Sequence, residues 1–156
     1  MSLALIELIQ TMIVTTVMVF ITVLIHYEIL RWASDKITTV CHWHGRAKIL
    51  FIITACLTAH TLEVWAFAFS FYLMRDIFML GDFGGAAVTS VYFVEYIYFS
   101  ITSYTSLGIG DMYPIGGLRL LTGVEALIGL LMIAWSASIT YISMERFWKL
   151  GKKTKF

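Results

Sequence analysis

Three apolar runs decide what this chain can become, because each is long enough to cross a lipid bilayer as a helix, which takes about 20 residues. The first runs from about Leu8 to Ile25 and is rich in Val, Ile, Thr and Met. The second runs from about Ile49 to Met74, interrupted only by His60 and Glu63. The third runs from about Leu120 to Ile142 and contains Glu125. Hydrophobic residues make up 60% of the 156 and charged residues 13%, and a water-soluble domain this small cannot hide so much apolar surface. An all-α integral membrane protein with three transmembrane helices is expected. The first run lacks the basic n-region and small-residue cleavage site of a signal peptide, so it is read as a retained helix. A net charge of +1 offers no footing for a polyanion, which sets nucleic acid aside. Cys41 and Cys56 are too few for a disulfide framework.

Basic residues set the direction. Arg31, Lys36, Arg46 and Lys48 lie between the first two runs, and Arg146, Lys149, Lys152, Lys153 and Lys155 follow the third. With three crossings, nine of the eleven Lys and Arg fall on one side. The positive-inside rule then puts the N-terminus outside and the C-terminus in the cytoplasm. A fourth apolar stretch, Val91 to Tyr104, is too short to span and contains Glu95, so it reads as a re-entrant or interfacial helix entering from the outer face. Thr89 or Ser90 suits its N-cap. Gly81, Gly84 and Gly85 mark a loose outer loop before it, and Gly116 and Gly117 mark the turn into the last span.

Directly after the short helix comes Thr105-Ser106-Leu107-Gly108-Ile109-Gly110-Asp111. Non-helical backbone at membrane depth must line water or be buried in protein. A ring of backbone carbonyls that replaces the hydration shell of a cation supplies a reason for such a strip. Pointing successive carbonyls at one axis needs alternate residues in dihedrals that glycine adopts cheaply, and Gly108 and Gly110 are placed for this. The short helix would also aim its partial negative C-terminus at a cation.

This segment resembles the pore loop of the potassium channel family, whose motif reads Thr-Val-Gly-Tyr-Gly-Asp after a second Thr. Tyr98-Phe99-Ser100-Ile101-Thr102-Ser103-Tyr104 is similar to the family's pore helix, with Tyr98 and Phe99 as the aromatics that wedge the filter. Met112-Tyr113-Pro114 and Arg119 continue the likeness, and Gly129 stands at the family's hinge glycine. The resemblance covers about two-thirds of the chain. The ending Ala134-Trp135-Ser136-Ala137-Ser138 is similar to that of many bacterial pore-domain channels, which implies a bacterial inner membrane. It implies a homotetramer in membrane lipid, one strip per subunit, binding K+ through the carbonyls of Ser106, Leu107, Gly108 and Ile109, with no other cofactor and no enzymatic activity. Three departures stand out: Ser106 where the family has Thr, Leu107 for Val, and Ile109 for the aromatic that braces the filter. The alternatives are a weakly selective monovalent cation channel and a non-conducting auxiliary subunit.

The implied organisation is a peripheral helix (1–30), a basic cytoplasmic connector (31–48), a pore domain (49–145) and a basic cytoplasmic tail (146–156). Within the pore domain fall an outer helix (49–74), outer loop (75–90), pore helix (91–104), filter (105–111) and inner helix (117–145). The first run carries no row of arginines, so no voltage sensor is expected. Glu125 should face protein, as a structural acid or one bracing the pore helix through Thr102 or Ser103 and tuning inactivation. His60 and Glu63, one turn apart, read either as interhelical glue or as a proton-sensing pair. Cys41-His42-Trp43-His44 holds soft metal ligands but nothing to complete a tetrahedral set. Gly129 reads as a hinge or as a close-packing residue. Ile133, Ala137, Thr140 and Tyr141 are candidates to line a cavity or gate. The basic tail reads as a topology anchor or a contact for anionic lipid.

Overall fold

A computed structural model describes residues 3–39, 44–85 and 92–153. Three long helices, α1 (Leu3–Thr39), α2 (Gly45–Tyr72) and α4 (Leu118–Lys153), are joined by a short helix α3 (Phe93–Tyr104) and two strands, β1 (Gly81–Gly85) and β2 (Met112–Gly116). The stretches Ala4–Thr39, Gly45–Ile77 and Leu118–Phe147 are each long and apolar enough to cross a membrane. Several hydroxyls within them are satisfied locally. Thr15, Thr22, Thr54, Thr58 and Thr61 each donate to the carbonyl four residues earlier, so no threonine of this set presents a bare hydroxyl to lipid.

Two boundaries differ from the sequence reading. The expected connector 31–48 is helical as far as Thr39, so Arg31 and Lys36 ride on α1. Leu30, Ala33 and Ile37 explain the continuation: their spacing keeps one apolar face, and all three are buried. Likewise α4 continues through the expected tail to Lys153. Phe147, packed against the core formed by Leu30, Ile37, Ile52 and Cys56, ties that extension down.

The chain divides into two compact units, Met1–Thr22 with Glu63–Leu130 and Val23–Leu62 with Leu131–Phe156. The second unit holds that core. Gly45 lets α2 start against Phe147, whose carbonyl oxygen lies 3.3 Å from where a Cβ would sit. The Lys48 ammonium stands 5.5 Å above the Phe147 ring, within cation–π range. His26, fully buried, lies 5.3 Å from the His60 ring and 5.2 Å from Trp135, with its Nε2 3.3 Å from the Ser136 hydroxyl.

The first unit is built on aromatics. Phe83 of β1 stacks edge-on against Phe99 at 4.7 Å, and Phe71 meets Phe99 at 5.1 Å. Offset and edge contacts of this kind add to the burial of each ring. The expected loose loop is in part a β-ribbon: β1 pairs antiparallel with β2, Gly81 opposite Gly116 and Gly85 opposite Met112. Its glycines provide close approach. A Cβ on Gly81 would strike the Ile115 carbonyl, and one on Gly84 would overlap the Tyr113 ring. Before the ribbon, α2 widens into a π-helical turn over Leu73–Ile77, which runs into the loop expected from residue 75. That turn places Arg75 so that its Nε donates to Asp82 at 2.5 Å and its Nη1 to the Tyr96 hydroxyl at 3.1 Å. The Tyr96 hydroxyl in turn donates to Asp76. Tyr92, in extended backbone, is the N-cap of α3 and makes no side-chain cap bond, while Thr89 and Ser90 lie outside the described residues.

The Arg75 guanidinium, followed by the Phe83 backbone N–H, holds the Asp82 carboxyl below its usual range. A lowered folded pKa contributes stability above the ordinary carboxylate value of about 4 and loses it as pH falls through the lowered one. Asp82 is largely exposed, so Asp82→Asn should cost less than about 1 kcal/mol at neutral pH. Thermal melts of solubilised protein should show that difference shrinking below about pH 4.

Candidate functional site

The strip 105–111 hangs from the last turn of α3. The N–H of Thr105 reaches the Ile101 carbonyl at 3.1 Å, and that of Ser106 reaches Ser103 at 2.9 Å. Leu107 and Gly108 both donate to the Thr102 carbonyl, at 2.8 and 3.2 Å. Carbonyls that end a helix without partners are thus used to fix the first residues of the strip. Thr102, expected to support the filter, does so through its backbone; its hydroxyl turns back to the Phe99 carbonyl at 2.9 Å. At the far end the Tyr98 hydroxyl donates to Asp111 at 3.0 Å, clasping the strip to α3. Phe99 is buried in the aromatic cluster.

Backbone dihedrals along the strip alternate. Ser106, Gly108 and Gly110 have φ of +57, +53 and +87°. For the two glycines this region costs little, whereas a serine there stores strain of about 1 kcal/mol. A Cβ on either glycine would meet no atom within 4 Å. Leu107 and Ile109 are 66% and 58% exposed, so within one chain neither side chain is packed away.

Two buried carboxylates grip α3 in this unit. The Glu125 side chain of α4 is fully buried, with Oε1 2.5 Å from the Ser100 hydroxyl, which also lies 2.9 Å from the Val64 carbonyl. The partner is Ser100, not the expected Thr102 or Ser103, although these are buried too; the Thr102 hydroxyl goes to the Phe99 carbonyl instead. Ser100 has one proton to give and the Val64 carbonyl can only accept. Both contacts are satisfied when Ser100 donates to Val64 and a protonated Glu125 donates to Ser100. Glu125 Oε2 has no hydrogen-bond partner among the described residues, which suits a neutral acid. On the α2 side, the Tyr104 hydroxyl donates to Glu63.

Neither Ser100 nor Tyr104 was singled out as a partner of these acids from the sequence. The available signal was hydroxyls at i and i+4 on a helix lying between two acid-bearing spans. Glu63 thus accepts from a residue of α3, and the His60 ring lies near that of His26. At Gly129, α4 runs on unbroken, and the missing side chain makes room for Tyr104: a Cβ would strike its carbonyl oxygen and stand 3.0 Å from its ring. Ile133, Ala137, Thr140 and Tyr141 come together with Ile53, Cys56, Leu57 and His60 around an apolar recess of about 560 Å³. Cys41, His42 and Trp43 lie outside the described residues.

A family model described as "Ion channel" matches residues 12–146. No curated protein and no solved structure matches the chain.

Replacing Glu125 separates a neutral hydrogen-bonding acid from a charged one. Glu125→Gln keeps a donor to Ser100 and should cost no more than about 1 kcal/mol, whereas Glu125→Ala should cost roughly 2–4 kcal/mol through the cavity and the lost bond. Thermal melts of solubilised protein measure both, and equal losses would show that a negative charge is what the site requires.

Proposed function

Since the chain belongs to the ion channel family whose model spans residues 12–146, we propose that it is a passive potassium channel, conducting K+ through a filter to which each of four identical subunits contributes residues 105–111. The observation that carries this reading is the positive φ at every second residue, Ser106, Gly108 and Gly110, in a strip anchored to the end of a short helix. Alternation of this kind turns successive carbonyls to one side, and the space in front of both glycines leaves room for other copies of the strip. The carbonyls of Ser106, Leu107, Gly108 and Ile109 would hold the ion. Tyr98, through Asp111, and the pair Ser100–Glu125 would hold the strip in place. Gly129 would serve the inner helix by letting it close on α3.

In this reading α1 is a peripheral helix without gating charge, the N-terminus faces outward, and the basic ends of α1, α2 and α4 lie in the cytoplasm of a bacterial cell. His60 and Glu63 remain candidates for proton-linked gating on α2. A second reading, a weakly selective cation channel, is favoured by the exposure of Ile109, which braces nothing within its own chain.

The deciding experiment is the reversal potential of purified protein in planar bilayers with K+ on one side and Na+ on the other. Reversal near the K+ equilibrium potential, with block by Ba2+, is expected. Robust current reversing near zero would establish the weakly selective channel, and no current from folded protein would favour an auxiliary subunit. Gly110→Ala forces a side chain into a left-handed dihedral at a cost of about 1 kcal/mol with no clash inside its own chain, and should move the reversal toward zero.

A further inference from the structure

We propose that Tyr104 is the positioning residue through which α2 and α4 set the inner end of the filter, anchored by Glu63 on one side and seated against Gly129 on the other. This inference rests on the reading of residues 105–111 as a K+ filter and adds to it how that filter is held.

Tyr104 is the last residue of α3 and is 2% exposed. Its hydroxyl donates to Glu63, a fully buried carboxylate 41 residues earlier in the chain. Its backbone carbonyl lies in the gap left by the absent side chain of Gly129, and its ring lies within 3.0 Å of where a Cβ would be. One residue is thus held at its tip by α2 and at its backbone by α4. The same helical turn supplies the carbonyls of Thr102 and Ser103, which accept from Ser106, Leu107 and Gly108. Displacing Tyr104 therefore displaces the acceptors from which the first filter residues hang.

Interiors packed this closely transmit small shifts instead of absorbing them. A movement of α4 at Gly129 would meet the Tyr104 carbonyl directly, while the bond to Glu63 resists rotation of the ring. Both the hydroxyl and the carboxylate are buried and act on the strip through the backbone of α3.

The test compares Tyr104→Phe, which removes only the hydroxyl, with Glu63→Gln, which keeps an acceptor for it, and with Glu63→Ala, which does not. Tyr27→Phe, at an exposed tyrosine of α1, is the control. Two readouts are taken: the K+ over Na+ permeability ratio in bilayers, and the extra thermal stability that detergent-solubilised protein gains in K+ over Na+, which reports ion binding by the folded state. Tyr104→Phe and Glu63→Ala should each lower the permeability ratio about tenfold and remove most of the K+-specific stabilisation, and the double variant should do no worse than either alone. Glu63→Gln and Tyr27→Phe should leave both near wild type. Tyr104→Phe with an unchanged ratio and unchanged K+-specific stabilisation would overturn the inference, as would losses in Tyr104→Phe and Glu63→Ala that simply add. If Tyr104→Phe fails to fold, the contrast between Glu63→Gln and Glu63→Ala decides from the other side of the same bond. Wild-type protein that shows neither K+ selectivity nor K+-specific stabilisation would instead overturn the filter reading itself.

Discussion

Lipid offers a backbone no hydrogen bonds, and the rest of this structure follows from how the chain meets that constraint where it stops being helical. At Thr105 the helix α3 ends, and the next N–H groups turn back onto the carbonyls of Ile101, Thr102 and Ser103. The cost of leaving the helix is met by the helix just left. What this produces is a strip whose start is fixed to a rigid turn and whose end is tied through Asp111 to Tyr98, three residues before Ile101. A tether at each end of seven residues leaves little freedom between them, which is what a strip of oriented carbonyls requires.

Holding the strip shifts the burden to holding α3, and there the chain does something expensive. Two carboxylates sit fully buried, one on each of the spans that pack against the short helix. A buried charge of this kind would cost several kcal/mol unless paired or neutralised. Hydrogen bonding to Ser100 and Tyr104 makes the arrangement tolerable and specific at once. A helix packed only through leucines could slide or rotate by part of a turn at small cost. One pinned by directional bonds to two different helices cannot. The aromatic cluster of Phe71, Phe83, Tyr96 and Phe99 fills the remaining volume, and the ribbon of β1 and β2 carries Phe83 into it.

How much of this is legible in the sequence depends on the range over which each contact acts. The three spans are read from length and composition alone, because crossing a bilayer imposes both. The short helix and the glycine alternation after it are local too, and the backbone does take positive φ at Gly108 and Gly110. Beyond about one helical turn the signal fades. Arg31 and Lys36 suggested a connector because charge dominates the local reading, whereas the burial of Leu30, Ala33 and Ile37 against another helix extends α1 past them. The bond between Tyr104 and Glu63 and that between Ser100 and Glu125 join residues 41 and 25 apart, and no local pattern pairs them. The serine at position 106, sharing the dihedral of the two glycines, is invisible to a reading that looks for glycine alone.

The glycines show why composition cannot separate these roles. Gly108 and Gly110 are needed for their dihedrals, since a Cβ on either would touch nothing. Gly81 and Gly84 are needed for space against β2, and Gly129 for space against Tyr104, although none of the three has positive φ. One residue type thus serves conformation in the strip and proximity around it. The two uses are also coupled. The absent side chain at Gly129 brings α4 against the very turn whose carbonyls support the strip, so the freedom exercised at Gly108 and Gly110 is bounded by the closeness allowed at Gly129. The helices α4 and α3 thus meet in direct contact at Gly129, next to the carbonyls from which the strip hangs.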